Sequence, residues 1–227
     1  MQAEGRWEVS TITQRESDQR EATAKTETQR RPPYRLSVAK YEAMVASGAF
    51  TKADRFELIE GALVEKMTKG GKHSASSERS WRAIHSLLPP GWHVRIEKPV
   101  RIPQRDSEPE PDVSVARGGI DDYEDRHPGP EDVALVVEVA ESTLADDRAM
   151  AVTYGGGGGI PVYWIVNVAG RQLEVYAHPE PGARIGGAYP APTILGETES
   201  VELIIEGQVV GMIAVAKLLP RAKGGAS

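Results

Sequence analysis

The chain predicts an α/β domain with a mixed central β-sheet flanked by helices, and three stretches carry that reading. Ala134-Leu135-Val136-Val137-Glu138-Val139 is an apolar run broken by one carboxylate, the pattern of a central strand buried on both faces. Residues 73 to 88 place Trp81, Ile84, Leu87 and Leu88 at helical spacing before Pro89-Pro90 ends the pattern. Val94, Ile96, Val100 and Ile102 alternate as a half-buried strand does.

The elements follow in order. Residues 1 to 33 are rich in Thr, Gln, Glu and Arg and close on Pro32-Pro33, so a disordered tail is expected there, with a flexible tail at 221 to 227 and one domain at 34 to 220. Ser37 caps a short amphipathic helix through Val38, Tyr41 and Val45 that Gly48 stops. Phe56 to Lys66 reads as a hairpin bent at Gly61, opening the sheet on which helix 73 to 88 then packs. Val113 with Val115 starts a strand after the Pro109 to Pro111 turn, so Asp112 stands at its opening. Ser142 to Tyr154 is a helix. Pro161 to Val168, Gln172 to Tyr176 and Val201 to Ile205 are strands, and Met212 to Leu219 is a terminal helix. The run Gly155 to Gly159 lacks the Lys and Ser/Thr of a phosphate loop and reads as a flexible connector.

Composition narrows the chemistry. With no cysteine in 227 residues, thiolate zinc sites and cysteine nucleophiles are excluded, leaving His, Asp and Glu as ligands for a hard metal. A net charge of −6 argues against a broad DNA-coating surface but permits a local basic rim. No apolar stretch is long enough to cross a bilayer, and the residues around Trp7 lack the basic start and apolar run of a secretory signal, so the expected location is cytoplasmic.

A carboxylate inside an apolar strand is costly unless it is paired. Two readings of Glu138 therefore stand: a magnesium ion shared with Asp112, or an ion pair with an arginine or a buried backbone group. His73 follows Gly70-Gly71, either as a proton carrier or phosphate contact or as a surface or capping residue. His85, on the face of Trp81 and Leu88, reads as structural, and Tyr163 and Trp164 as core packing. Lys66, Lys69, Lys72, Arg79 and Arg82 form a solvated face by default, with phosphate contacts as the alternative.

Five segments, in order, resemble one family: Phe56-Glu57-Leu58-Ile59-Glu60-Gly61, His73, Glu110-Pro111-Asp112-Val113, Val137-Glu138-Val139-Ala140-Glu141-Ser142, and Ile160-Pro161-Val162-Tyr163-Trp164-Ile165-Val166-Asn167. Over residues 34 to 220 the chain is similar to the Uma family of bacterial restriction-endonuclease-like proteins, within the PD-(D/E)XK nuclease superfamily. The resemblance implies a restriction-endonuclease-like core and Mg2+-dependent phosphodiester hydrolysis, with Mn2+ as a substitute. Carried over by position, Asp112 and Glu138 are metal ligands, Glu57 is the acidic residue of the first helix-hairpin segment, and His73 occupies a matching position. The expected partners are nucleic acid, DNA first, and a second copy of the chain as a homodimer, with no membrane.

The chain also departs from that pattern. Relatives carry a lysine one helical turn beyond the aspartate that follows the Glu strand, whereas Asp147 is followed by Arg148, Ala149, Met150, Ala151 and Val152. Arg148 is the remaining cation in that stretch, and its guanidinium can stabilise charge but not take a proton. The alternative expectation is a nuclease-fold protein that has lost catalysis and serves as a binding or assembly module.

Overall fold

The computed structural model describes residues 32–51, 53–180 and 189–222, so the expectations for the two tails fall almost wholly outside it. The chain divides into two units, Met1–Tyr34 and Arg35–Ser227, and every helix and strand of the domain belongs to the second.

Helix α1 (Val38–Ala46) opens with the Ser37 hydroxyl accepting from the Lys40 amide and buries Val38 and Tyr41 against Leu58. The hairpin β1 (Phe56–Ile59) and β2 (Ala62–Glu65) forms a two-stranded sheet of its own. The expectation that it opens the main sheet is thus corrected: at four residues a strand it ends early, and Glu60 and Gly61 turn it at positive φ.

The central sheet has six strands in the order β3 (Trp92–Ile96), β4 (Val113–Arg117), β5 (Val133–Ala140), β6 (Val162–Asn167), β7 (Gln172–Ala177) and β8 (Thr193–Gly196). Only β5 and β6 run parallel; the remaining neighbours are antiparallel, so the sheet is mixed as expected. Val113 faces Val137 and Val115 faces Leu135, but Ala116 faces Val133, so an extra residue on β5 makes an irregularity past Val115.

Because strand side chains alternate, β5 feeds two cores. Leu135, Val137 and Val139 join Val113, Trp164 and Ile84 under α2 (Gly71–His85), together with Leu203 and Ile213 of the hairpin β9 (Ser200–Ile205) and β10 (Gln208–Ala214). Val136 and Ala140 join Tyr163, Ile165 and Tyr154 under α3 (Leu144–Ala151). Helix α2 packs on β3, β4 and β5, not on the first hairpin, because its buried side is a row of serines and Ile84 that fits closely against the large sheet.

Two more expectations are revised. Met212 to Leu219 is not a helix: β10 runs to Ala214 and one 3-10 turn follows, since its apolar residues serve pairing with β9. The glycine run is not simply a connector, for a π-helix spans Val152–Gly157. The ring of Tyr189 and the stem of Arg105 occupy the space where side chains at 155 and 157 would project. The wide turn suits close approach that only glycine allows.

Candidate active site

Asp112 sits one residue before the Val113–Val137 pair and therefore lies opposite Glu138, on the face of β5 that meets α3. The two carboxylates are knitted through each other's backbone. The Asp112 amide donates to Glu138 Oε2 at 3.1 Å, and the Val139 amide donates to Asp112 Oδ2 at 2.8 Å. The Tyr154 hydroxyl, carried inward by the π-helix, donates to Glu138 Oε1 at 2.9 Å. An arginine ion pair for Glu138 is thereby corrected: its partners are a phenol and an amide.

Asp112 is 3% exposed, and its charge is met by two cations or potential cations from the start of α2 and the loop before it. Lys69 Nζ lies 2.6 Å from Oδ1 and 2.8 Å from Glu97 Oε1, and His73 Nε2 lies 3.0 Å from Oδ2. Burial works against ionisation of Asp112, yet His73 and Lys69 outweigh it and hold the carboxyl below its usual range. Glu138 goes the other way: burial first, then the like charges of Asp112 and Asp147, push its carboxyl well up. Asp147, in α3, is pushed up to about 6 by burial and by Asp112 and Asp146, against the Thr143 hydroxyl that donates to it at 2.6 Å.

Glu57 on β1 comes near but does not join the pair. Its Oε2 accepts from the Glu110 amide at 2.8 Å, which fixes the strap leading into Asp112, and burial raises its carboxyl above the ordinary value. Of the sequence candidates, then, Asp112, Glu138 and His73 are brought together, and Glu57 braces the segment beside them.

A family model described as "Uma2: Putative restriction endonuclease" matches residues 38–216. This chain belongs to the Uma2 family. Among solved structures, a putative nuclease belonging to DUF820 from Anabaena variabilis ATCC 29413 is similar in fold, with a TM-score of 0.58 and 15% identity over 81% of this chain and 97% of that one. A search of curated proteins found no match. Family and neighbour together make this a nuclease-type, restriction-endonuclease-like α/β fold. No helix among the described residues is long and apolar enough to cross a membrane.

In this Uma2 protein, sequence reasoning missed Lys69, Tyr154 and Asp147. Lys69 read as one of a run of solvated cations, and only the 43-residue separation in sequence closed by the fold shows it on Asp112. Asp147 and Tyr154 lie on α3 and the π-helix, beyond what spacing resolves. Arg148 is corrected as a source of charge for the site. It grips Glu174, 0% exposed, with Nε at 3.0 Å and Nη2 at 2.6 Å.

Among the described residues no set of three His, Asp or Glu side chains is arranged to hold a metal ion. Asp112 and Glu138 offer two carboxylates, the count magnesium takes when water and substrate oxygens complete its shell. Burial and the neighbouring carboxylates raise Glu138 and Asp147, and the carboxyl oxygens gathered beside Asp112 are the donor type a hard divalent cation takes.

Proposed function

We propose that this chain hydrolyses phosphodiester bonds of nucleic acid, DNA first, with Mg2+ or Mn2+ held by Asp112 and Glu138. The observation that supports it is the reciprocal backbone lock, in which each carboxylate accepts a main-chain amide from the strand of the other or its neighbour. That lock presets two carboxyl groups on rigid strands, as a preorganised site requires.

When bound, the cation supplies an acidified water and a counter-charge for the phosphoryl oxygens. The protein's own groups do the rest. Lys69, 2.6 Å from Asp112, brings the ammonium that α3 lacks and neutralises charge building on phosphorus. Asp147, with a carboxyl at about 6, is ionised near neutrality and accepts the proton of the attacking water. As the new oxygen–phosphorus bond forms, the bond to the leaving sugar oxygen breaks, and solvent protonates that oxygen. Tyr154 keeps Glu138 turned toward Asp112.

The test is incubation of pure protein with supercoiled plasmid and single-stranded DNA in Mg2+ or Mn2+, beside Asp112→Ala. Metal-dependent cleavage lost in the variant is the expected result. The same weak nicking from both proteins would sink the reading and favour a binding or assembly module, in which Lys69 serves as a built-in counter-ion for Asp112.

A further inference from the structure

A second polar cluster lies outside the Asp112 site. A cavity of about 720 Å³ opens between α1, the segment from Pro99 to Glu110 and the loop carrying Tyr123 to Glu131. Neither Asp112, Glu138, His73 nor Lys69 lines it. Glu108 does, and it is 4% exposed; its Oε2 is buried without a partner, while its carboxyl also meets the carboxyl of Glu42. A buried carboxyl of this kind is costly without a counter-charge.

Two of the cations nearby are paired with other acids. Arg101 from the same segment holds Glu42 of α1, with Nε at 2.8 Å and Nη2 at 3.1 Å. Arg126 holds Asp132 at 2.6 Å and covers the Tyr123 ring. Glu110 is paired with Lys66. His127 stands 3.7 Å from Glu108 Oε1, beyond a hydrogen bond, and its Nδ1 is a second buried atom without a partner. Burial, then the charge of Arg95, holds that imidazole below its ordinary value, so it is neutral near pH 7. Glu124, Asp125 and Glu131 add further negative charge to the lining, which repels phosphate and leaves a cation as the ligand that fits.

We propose that this cavity is a binding site for a small organic cation whose N–H donors, ammonium or guanidinium, reach the Glu108 carboxyl. A donor-rich head also serves the open acceptor of His127 Nδ1. The inference is independent of the nuclease reading and stands or falls without it.

The test is calorimetric titration of the full chain with agmatine, which carries both heads, beside tetramethylammonium, which has charge but no N–H, and inorganic phosphate. Saturable one-to-one binding of agmatine is expected, at least about tenfold tighter than tetramethylammonium, with no phosphate binding. Glu108→Gln should weaken it about tenfold or more. Burial, with Glu42 and Glu110, pushes the Glu108 carboxyl up to about 7, against Arg101. Binding by the unaltered protein should therefore release a fraction of a proton near pH 7, and affinity should rise about tenfold between pH 6 and 8. That readout needs no variant. Absence of agmatine binding, equal binding in Glu108→Gln, a flat pH profile, or preference for phosphate would each overturn the proposal.

Discussion

Replacing Glu108 by glutamine should change how stability depends on pH. The side chain is buried, and its carboxyl is raised from 4.5 to about 7 by burial and by Glu42 and Glu110. For an acid raised in the folded state the sign is fixed. Below the unfolded value both states are protonated and nothing is lost, whereas between 4.5 and about 7 the unfolded chain ionises first and the folded state falls behind. At about 1.4 kcal/mol per pKa unit, the unaltered protein gives up about 3 kcal/mol across that window. Glutamine has the same shape and no proton to lose, so the variant keeps it. For a domain of this size 1 kcal/mol moves the melting temperature by about 2 to 4 °C, so the gap between variant and parent should widen by about 6 to 12 °C from pH 4.5 to pH 8. Melting curves by circular dichroism at steps of half a pH unit measure it. The comparison is of slopes, so any fixed difference between amide and acid cancels. Parallel curves over the whole range would mean that Glu108 has its counter-charge already.

Other outcomes follow from the site and its supports. Glu138→Gln retains both hydrogen bonds once the Tyr154 hydroxyl turns to accept, so without metal its melting temperature should hold or rise, while the increase that Mn2+ gives the parent disappears; a marked fall together with an unchanged Mn2+ response would show that no cation sits there. Lys69→Met should lower the rate of plasmid cleavage by about 100-fold or more, and an unaltered rate would remove Lys69 from the chemistry. Arg148→Met strands the buried Glu174; since Arg148 is itself half exposed, a loss of about 2 to 3 kcal/mol in urea melts is expected, with the metal requirement of cleavage untouched. Gly155→Ala drives a methyl group into the Tyr189 ring and should cost about 1 to 3 kcal/mol, which a neutral result would contradict.

Period-two and period-3.6 patterns reach the sheet and its two main helices, because burial on one or both faces writes itself into side-chain type: Val136, Val137 and Val139 predict β5 as it stands. They do not tell Met212–Leu219 from a strand and a turn, since the apolar residues in such a stretch serve either period, and pairing with β9 decides. At the site, Glu138 was legible because a carboxylate among valines contradicts its surroundings, and Asp112 because it opens the next strand at a position the family resemblance matches. Lys69 contradicts nothing in its own neighbourhood of glycines and lysines, and its meaning comes only from the fold bringing it to Asp112. Glu108 lay within the Glu-Pro-Glu-Pro-Asp strap, where a charged residue looks ordinary until its burial is known.

The extra residue of β5 has a bearing on how this domain tolerates change. A slip of one residue in a ladder would turn every side chain to the opposite face and carry Glu138 away from Asp112. The irregularity lies past Val115, between the Asp112–Glu138 level and the loop that joins β4 to β5. A bulge of this kind absorbs a length change locally, so residues inserted or deleted in the 118 to 132 connection meet slack before they meet the carboxylates. The 118 to 122 stretch, which precedes the cavity-lining residues Tyr123 to Glu131, is therefore where a recognition loop or a reporter can be grafted while the two acids stay in register.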